Sequence, residues 1–529
     1  MNRAFLCWMH LPMFLTVSVF LLIGSDLQAQ STNPKRELRG VWVATVLNID
    51  FPSRPGLSAA ELRNEWEDRV SRLADAGFNA VMFQVRPACD AFYASHLAPW
   101  SKYLTGTQGQ GFEAAAFDPL EMLIEVAHSH GMEFHAWFNP YRASMDTSLA
   151  LLSPAHPLRQ RPEWGVRYGG RLYLDPGIPE VRNYVTEVVV ELVMNYDVDA
   201  IHFDDYFYPY PAAGEVFPDE ATFRKYGFGY ATIEEWRRSN VDKLIAQVSA
   251  MLRRVAPQVK FGVAPFGVWR NQVNDPLRGS NTRSAITAYD DLYADVLHWL
   301  EKGWVDYVAP QLYWQIGYAP ADYKTLLGWW HAHRNDRWVY PGMAAYKVAT
   351  NPEPAWQSPA EIPAQIRLNR SLPGVGGGIF YSMRSVLANP LGLLDSLRNN
   401  YYRTPALPPE MTWMGLDLPP IPRLGKPKHK RGAVEFDIHI DNEEGAVRQL
   451  VVYRFEDRLP GDFNNPENIL RIIPVRGEQK VTLRDENVEQ GKYYTYAAAT
   501  LNRQNSESIL SEVRTVRLDG RKLRIFKNP

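Results

Sequence analysis

Cysteine is nearly absent. Cys7 and Cys89 are the only two in 529 residues, and Cys7 falls in a segment expected to be removed, which leaves Cys89 without a partner. A disulfide-stapled scaffold is excluded, and a chain this long buries an ample core without one. Charge excess is lacking too: 57 basic against 59 acidic side chains give no electrostatic reason to expect nucleic acid as a partner. The 39 prolines and 35 glycines follow no period, so neither collagen nor a low-complexity tract fits. Histidine offers no metal set. His128 and His130 lie two apart on one helical stretch and face different ways, and His135 with His202 would be two ligands without a third. No metal and no cofactor are expected; the reading instead has His135 and His202 bonding the acidic residues nearby.

A long apolar run occurs near the start. Arg3 precedes a stretch from Leu11 to Gly24, followed by Ser25, Asp26 and Leu27-Gln28-Ala29. This reads as a signal peptide over 1–29, its apolar run falling short of the ~20 residues that span a bilayer. Export is therefore expected, to a periplasm or beyond the cell, with no stable membrane insertion afterwards.

What abounds is aromatic: 16 Trp and 27 Tyr suit a core, and also a groove that stacks on the apolar faces of sugars. From 35 to 402, short apolar runs alternate with amphipathic stretches. The runs are Leu38–Val46, Ala80–Val85, Glu133–Phe138, Ala200–Phe203, Lys260–Ala264, Tyr307–Leu312, Trp338–Met343 and Gly378–Tyr381. Helical patterns separate them, among them Ala288–Lys302, and Pro390–Asn400 closes the series. Eight strand–helix pairs predict an α/β fold, a (β/α)8 TIM barrel. No glycine-rich turn follows the first strand, which weakens the doubly wound alternative. Proline-rich 403–422 reads as a stiff linker. The strand-like alternations of 423–529 predict a β-sandwich, whose Tyr493–Ala499 run resembles a fibronectin type III module.

Catalytic groups of such a barrel come from the C-terminal strand ends. Those ends deliver Arg86 and Asp90, then Asn139, Tyr141 and Arg142, then His202, Asp204, Asp205 and Tyr206, then Gln311, Tyr313 and Trp314, and finally Tyr381. A rim of this kind suits a hydroxyl-rich ligand such as a glycan. Asp204 and Asp205 are the candidate catalytic pair, since adjacent carboxyls raise one another's proton affinity and keep one as an acid near neutral pH. The other residues named here are candidate substrate-binding groups.

The segments Glu37–Val46, His135–Arg142, Ile201–Pro209, Tyr307–Trp314, Tyr340–Lys347 and Gly376–Met383 resemble those of the glycoside-hydrolase-like family 10 proteins, and through them the bacterial enzymes that digest denuded peptidoglycan strands. The resemblance implies hydrolysis of a β-linked, N-acetylated glycan. Strands five and six end in Phe266 and Gln311, without the carboxyl that one large clan of retaining barrels carries there. The Asp204-Asp205 pair resembles the O-GlcNAcase arrangement instead, where one acidic residue orients the 2-acetamido group and its neighbour is the acid; Asp205 is then the acid, and Tyr206 or Tyr313 bonds the acetamido group. A competing scheme pairs Asp204 with Asp90 or Asp175, although Asp175 also reads as a cap for the helix after Pro179. Two alternatives remain in view: a glycan-binding protein without activity, and a hydrolase of a different exported or dietary polysaccharide.

Overall fold

The structure, a computed structural model, describes residues 33–526 except 113–116, 416–417, 443–444 and 521. The expected signal segment lies outside the described residues. Among them, no helix is long and apolar enough to cross a membrane.

A curled, all-parallel sheet with helices outside it forms the first part. Its strands are β1 (Leu38–Val43), β2 (Ala80–Arg86), β3 (Glu133–Phe138), β4 (Ala200–Phe203), β5 (Lys260–Val263), β6 (Tyr307–Val308), β7 in two segments (Trp338–Val339 and Gly342–Met343) and β8 (Gly377–Phe380). The first segment of β7 pairs with β6 and the second with β8, while β8 pairs with β1. The break between them is Tyr340-Pro341, where proline has no N–H to give to a ladder. Helices α1 (Ala59–Asp75), α2 (Pro119–Ser129), α3 (Pro179–Asn195) and α4 (Ile233–Val255) cover the outside. Their starts follow from local chemistry. Ser58 and Glu61 form a reciprocal capping box on α1, and Asp118 caps α2 ahead of Pro119.

Two expected helices differ. The stretch expected as Ala288–Lys302 is helical only over Val296–Glu301, because Asp291 accepts the N–H of Thr287 and the Thr287 hydroxyl accepts that of Asp290. Side chains there offer the backbone a turn in place of a helix. Pro390–Asn400 is interrupted by positive φ at Leu391 and Gly392.

Inside the ring, Trp42, Met82, Tyr307, Tyr340 and Ile379 pack into one apolar layer. Tyr307 leans over Gly262, where a Cβ would lie 2.0 Å from the phenol ring, so only glycine fits.

Beyond the ring, a four-stranded and a five-stranded antiparallel sheet share a core of Val434, Phe436, Leu450, Val452, Leu483, Tyr496 and Val516. Strands at Ile469–Pro474 and Lys522–Phe526 add to those expected. This module sits at the floor of the barrel, against the N-terminal strand ends. Asn505 donates to Glu133 at the start of β3, Gln449 donates to the Gly131 carbonyl, and Arg448 pairs with Asp197. The proline-rich stretch crosses the same floor, where the Leu407 carbonyl accepts the N–H of Glu37 and Trp413 bonds Asp306.

Candidate active site

At the opposite end, a cavity of about 320 Å³ is lined by Trp42, Gln84, Trp137, Arg142, Arg171, Asp204, Asp205, Tyr206, Gln311, Tyr313 and Tyr381, with Leu47, Ile49 and Met145 at its apolar side. Residues at or just past the ends of β1, β2, β3, β4, β6 and β8 meet there. Among the described residues, Asp204 and Asp205 are the only carboxylates that line it.

Asp204 is held by donors on every side. Its Oδ2 accepts from the Trp137 indole at 3.3 Å and from the Asn139 amide, and its Oδ1 accepts the Tyr206 N–H at 3.2 Å. Asn139 can aim its NH2 only this way, because its own oxygen already accepts from both Gln84 and Arg142. Gln84 in turn accepts the N–H groups of Thr45 and Val46, each at 2.9 Å. The end of β1, the end of β2 and the loop after β3 thus converge on one carboxyl. Asp205 accepts from the Tyr210 hydroxyl.

Burial pushes the Asp204 carboxyl up to about 8, with the neighbouring Asp205 adding to the effect and Arg142 opposing it. Burial raises Asp205 as well, against the hydrogen bonds from Tyr210 and Gln311. Two carboxyls in one dry site cannot both ionise cheaply, so the pair retains a proton at neutral pH.

Aromatic rings form the remaining walls. Tyr313, Tyr346 and Tyr381 stand 5.8–6.0 Å apart between centroids, and Trp42 meets Tyr381 at 6.3 Å. A second row leads outward from Tyr206 through Tyr210 and Phe266 to Trp314, at 5.4, 6.0 and 5.6 Å.

Of the residues that the sequence assigns to catalysis or the glycan, Asp204, Asp205, Arg142, Tyr206, Gln311, Tyr313 and Tyr381 line the cavity. Asn139 supports Asp204 from behind, and Trp314 ends the outer aromatic row. Arg86, Asp90, Tyr141 and His202 do not line it. A register shift after Gln84 re-aims Arg86, which donates to the Pro140 carbonyl and the Tyr184 hydroxyl. Asp90 is fully buried, accepting the Ala88 N–H and the Gln108 amide. Tyr141 is buried completely.

The expectation that His135 and His202 bond the acidic residues nearby holds only for His135, whose Nε2 lies 2.8 Å from Glu133; neither ring reaches Asp204 or Asp205, and the Nδ1 of each turns to the Tyr307 hydroxyl, at 2.8 and 3.0 Å. Nor does Asp175 cap the helix after Pro179. It accepts the Gly177 N–H and the Thr222 hydroxyl, and α3 starts without a side-chain cap.

Trp42, Gln84 and Trp137 stand in the strand ends that the sequence marks, yet their roles were not assigned there; Trp137 is two residues before Asn139, a spacing that shares one face of an extended chain. Arg171 had no signal, since it lies on an inserted hairpin outside the strand–helix repeat. A larger hollow of about 870 Å³ lies between the barrel helices and the C-terminal module. Its arginines and carboxylates pair with one another, Arg63 and Arg476 with Glu125, Arg448 and Arg503 with Asp197, so the chemistry belongs to the cavity at the rim.

Glycosyl hydrolase YngK of Bacillus subtilis is 42% identical over 90% of this chain and 93% of its own length. Glycosyl hydrolase DigH of Escherichia coli K12 is 39% identical over 68% of this chain and 85% of its own. Among solved structures, the glycoside hydrolase domain of PgaB from Bordetella bronchiseptica aligns over 69% of this chain and 99% of that one, at 14% identity and a TM-score of 0.44. The model of the family described as glycosyl hydrolase-like 10 matches residues 37–358, more than half of the sequence, and the chain belongs to that family.

Proposed function

We propose that the protein is an exported glycoside hydrolase that cleaves O-glycosidic bonds of an N-acetylated glycan, peptidoglycan glycan strands above all, with help from the substrate's own acetamido group. The carrying observation is the adjacent Asp204-Asp205 pair as the only carboxylates that line the cavity among the described residues. A conventional scheme needs two carboxyls flanking the bond, roughly 5–9.5 Å apart. Asp90 and Asp175 would be its second members, and both are committed to local turns.

In the substrate-assisted course, Asp205 gives its proton to the leaving glycosidic oxygen. The acetamido carbonyl oxygen attacks the anomeric carbon, and that bond replaces the one that breaks. Asp204, fixed by Trp137, Asn139 and the Tyr206 N–H, accepts the acetamido N–H and stabilises the positive charge that develops. Water then opens the cyclic intermediate, and Asp205 takes its proton back. The aromatic walls stack on the sugar faces.

The test compares a glycan with its analogue carrying hydroxyl in place of acetamido. Turnover is expected to fall by more than ~10²-fold, the scale of a lost catalytic group. Undiminished turnover contradicts the substrate-assisted course. A glycan-binding protein without activity is the second reading, favoured by the lack, among the described residues, of a carboxyl on the walls from strands five to seven; carbohydrate binding without product release would establish it.

A further inference from the structure

Among the described residues, one guanidinium of the cavity has no side-chain partner. Arg142 is occupied, donating to the Asn139 side chain and the Pro87 carbonyl. Arg171 lines the same cavity, is half-buried, and among the described residues makes no side-chain hydrogen bond or ion pair. An arginine unpaired in a partly dry hollow is costly unless a ligand supplies the anion.

Its placement is built. Arg171 follows Gly169 and Gly170, whose φ values of +54° and +71° make the tight hairpin turn that only glycine adopts without strain. The hairpin is tied to the loop after β4. The Tyr168 hydroxyl accepts the Ala212 N–H at 2.7 Å, and the Gly169 N–H donates to Glu215 at 2.9 Å. The segment that carries Asp204 and Asp205 therefore also braces Arg171. With one proton retained by the acidic pair, two arginines face a single negative charge, and the cavity is left one cation in excess.

We propose that Arg171 binds a carboxylate carried on the sugar, so that the cavity selects an acidic N-acetylated glycan over a neutral one. This rests on the reading that the cavity takes an N-acetylated glycan. Arg171 is a specificity group and takes no part in bond cleavage.

The experiment uses full-length protein and two substrates: glycan strands whose lactyl carboxylates are free, and the same strands with those groups converted to amides. Wild type is expected to show a KM about 10–100-fold lower for the free acid, the scale of a charge-assisted hydrogen bond. Arg171→Gln is expected to raise the free-acid KM to the amide value and to shift the amide KM far less, while Arg171→Lys restores part of the preference. Equal KM values in wild type, or an Arg171→Gln loss of equal size on both substrates, would overturn the assignment. Titration of Asp205→Asn with both oligosaccharides separates this from the hydrolase reading. Carboxylate preference in binding, coupled with no cleavage by wild type, contradicts the hydrolase and upholds Arg171; cleavage without preference does the reverse.

Discussion

The indole N–H of Trp42 donates to Nε2 of His202 at 3.0 Å. That bond sets the direction of a whole relay. With Nε2 accepting, the neutral His202 ring carries its proton on Nδ1 and gives it to the Tyr307 oxygen; Tyr307 donates to Nδ1 of His135, whose Nε2–H reaches Glu133 at 2.8 Å. Asn505 of the C-terminal module donates to the same Glu133 at 2.9 Å. A buried line thus joins the docking floor to a wall of the active cavity.

Tyr307→Phe leaves both ring nitrogens facing it without a partner. The expected loss is about 1–3 kcal/mol of stability, read from urea unfolding, with kcat per folded molecule kept within a few-fold.

Glu133 is held down at about 2: burial opposes this, but the Lys260 ammonium and the His135 ring outweigh it. A depressed carboxyl contributes stability above its unfolded value of ~4.3, and this is lost as pH falls through the folded value near 2. Glu133→Gln strands the buried Lys260 charge, with an expected cost of about 3–5 kcal/mol at pH 7. Unfolding titrations at pH 7 and pH 3 should show the variant's deficit shrinking at the lower pH.

The Asp204-Asp205 pair, in which burial raises both carboxyls, has the opposite sign. Its raised folded value means that its contribution is fully present below the unfolded value near ~3.9 and is lost as pH rises through about 8. Asp204→Asn escapes that loss, so its melting temperature relative to wild type should climb between pH 6 and 9 on the order of degrees, while activity disappears. For wild type, kcat/KM should fall on the alkaline side as the pair gives up its retained proton near pH 8.

Asn139 acts through Asp204. Asn139→Ala removes one donor and frees Gln84 and Arg142; kcat should drop about 10–100-fold with the alkaline limb moved upward, since a lost donor disfavours the carboxylate. A loss with an unmoved pH profile would assign Asn139 to packing alone.

Much of this was legible in the residues. Strands β3 and β4 have the bounds read from the sequence, because short, mainly apolar runs end at a polar rim, at Asn139 and Asp204. The Tyr307–Leu312 run makes a ladder only over two residues, since Pro310 ends it. The site was legible where the strand–helix repeat applied, as at Asp204, Tyr313 and Tyr381, and illegible where long-range geometry decided. His202 shares a strand face with Asp204 yet points into the barrel layer below it. Arg171 reaches the cavity through an insertion, and no period in the sequence announces that.

The central claim is that Asp204 and Asp205 carry the chemistry. Product release from purified, peptide-free glycan strands by wild type, Asp204→Asn and Asp205→Asn tests it most directly. Cleavage by wild type, reduced more than ~10²-fold in each folded variant, is the predicted result; cleavage that survives both substitutions would contradict it.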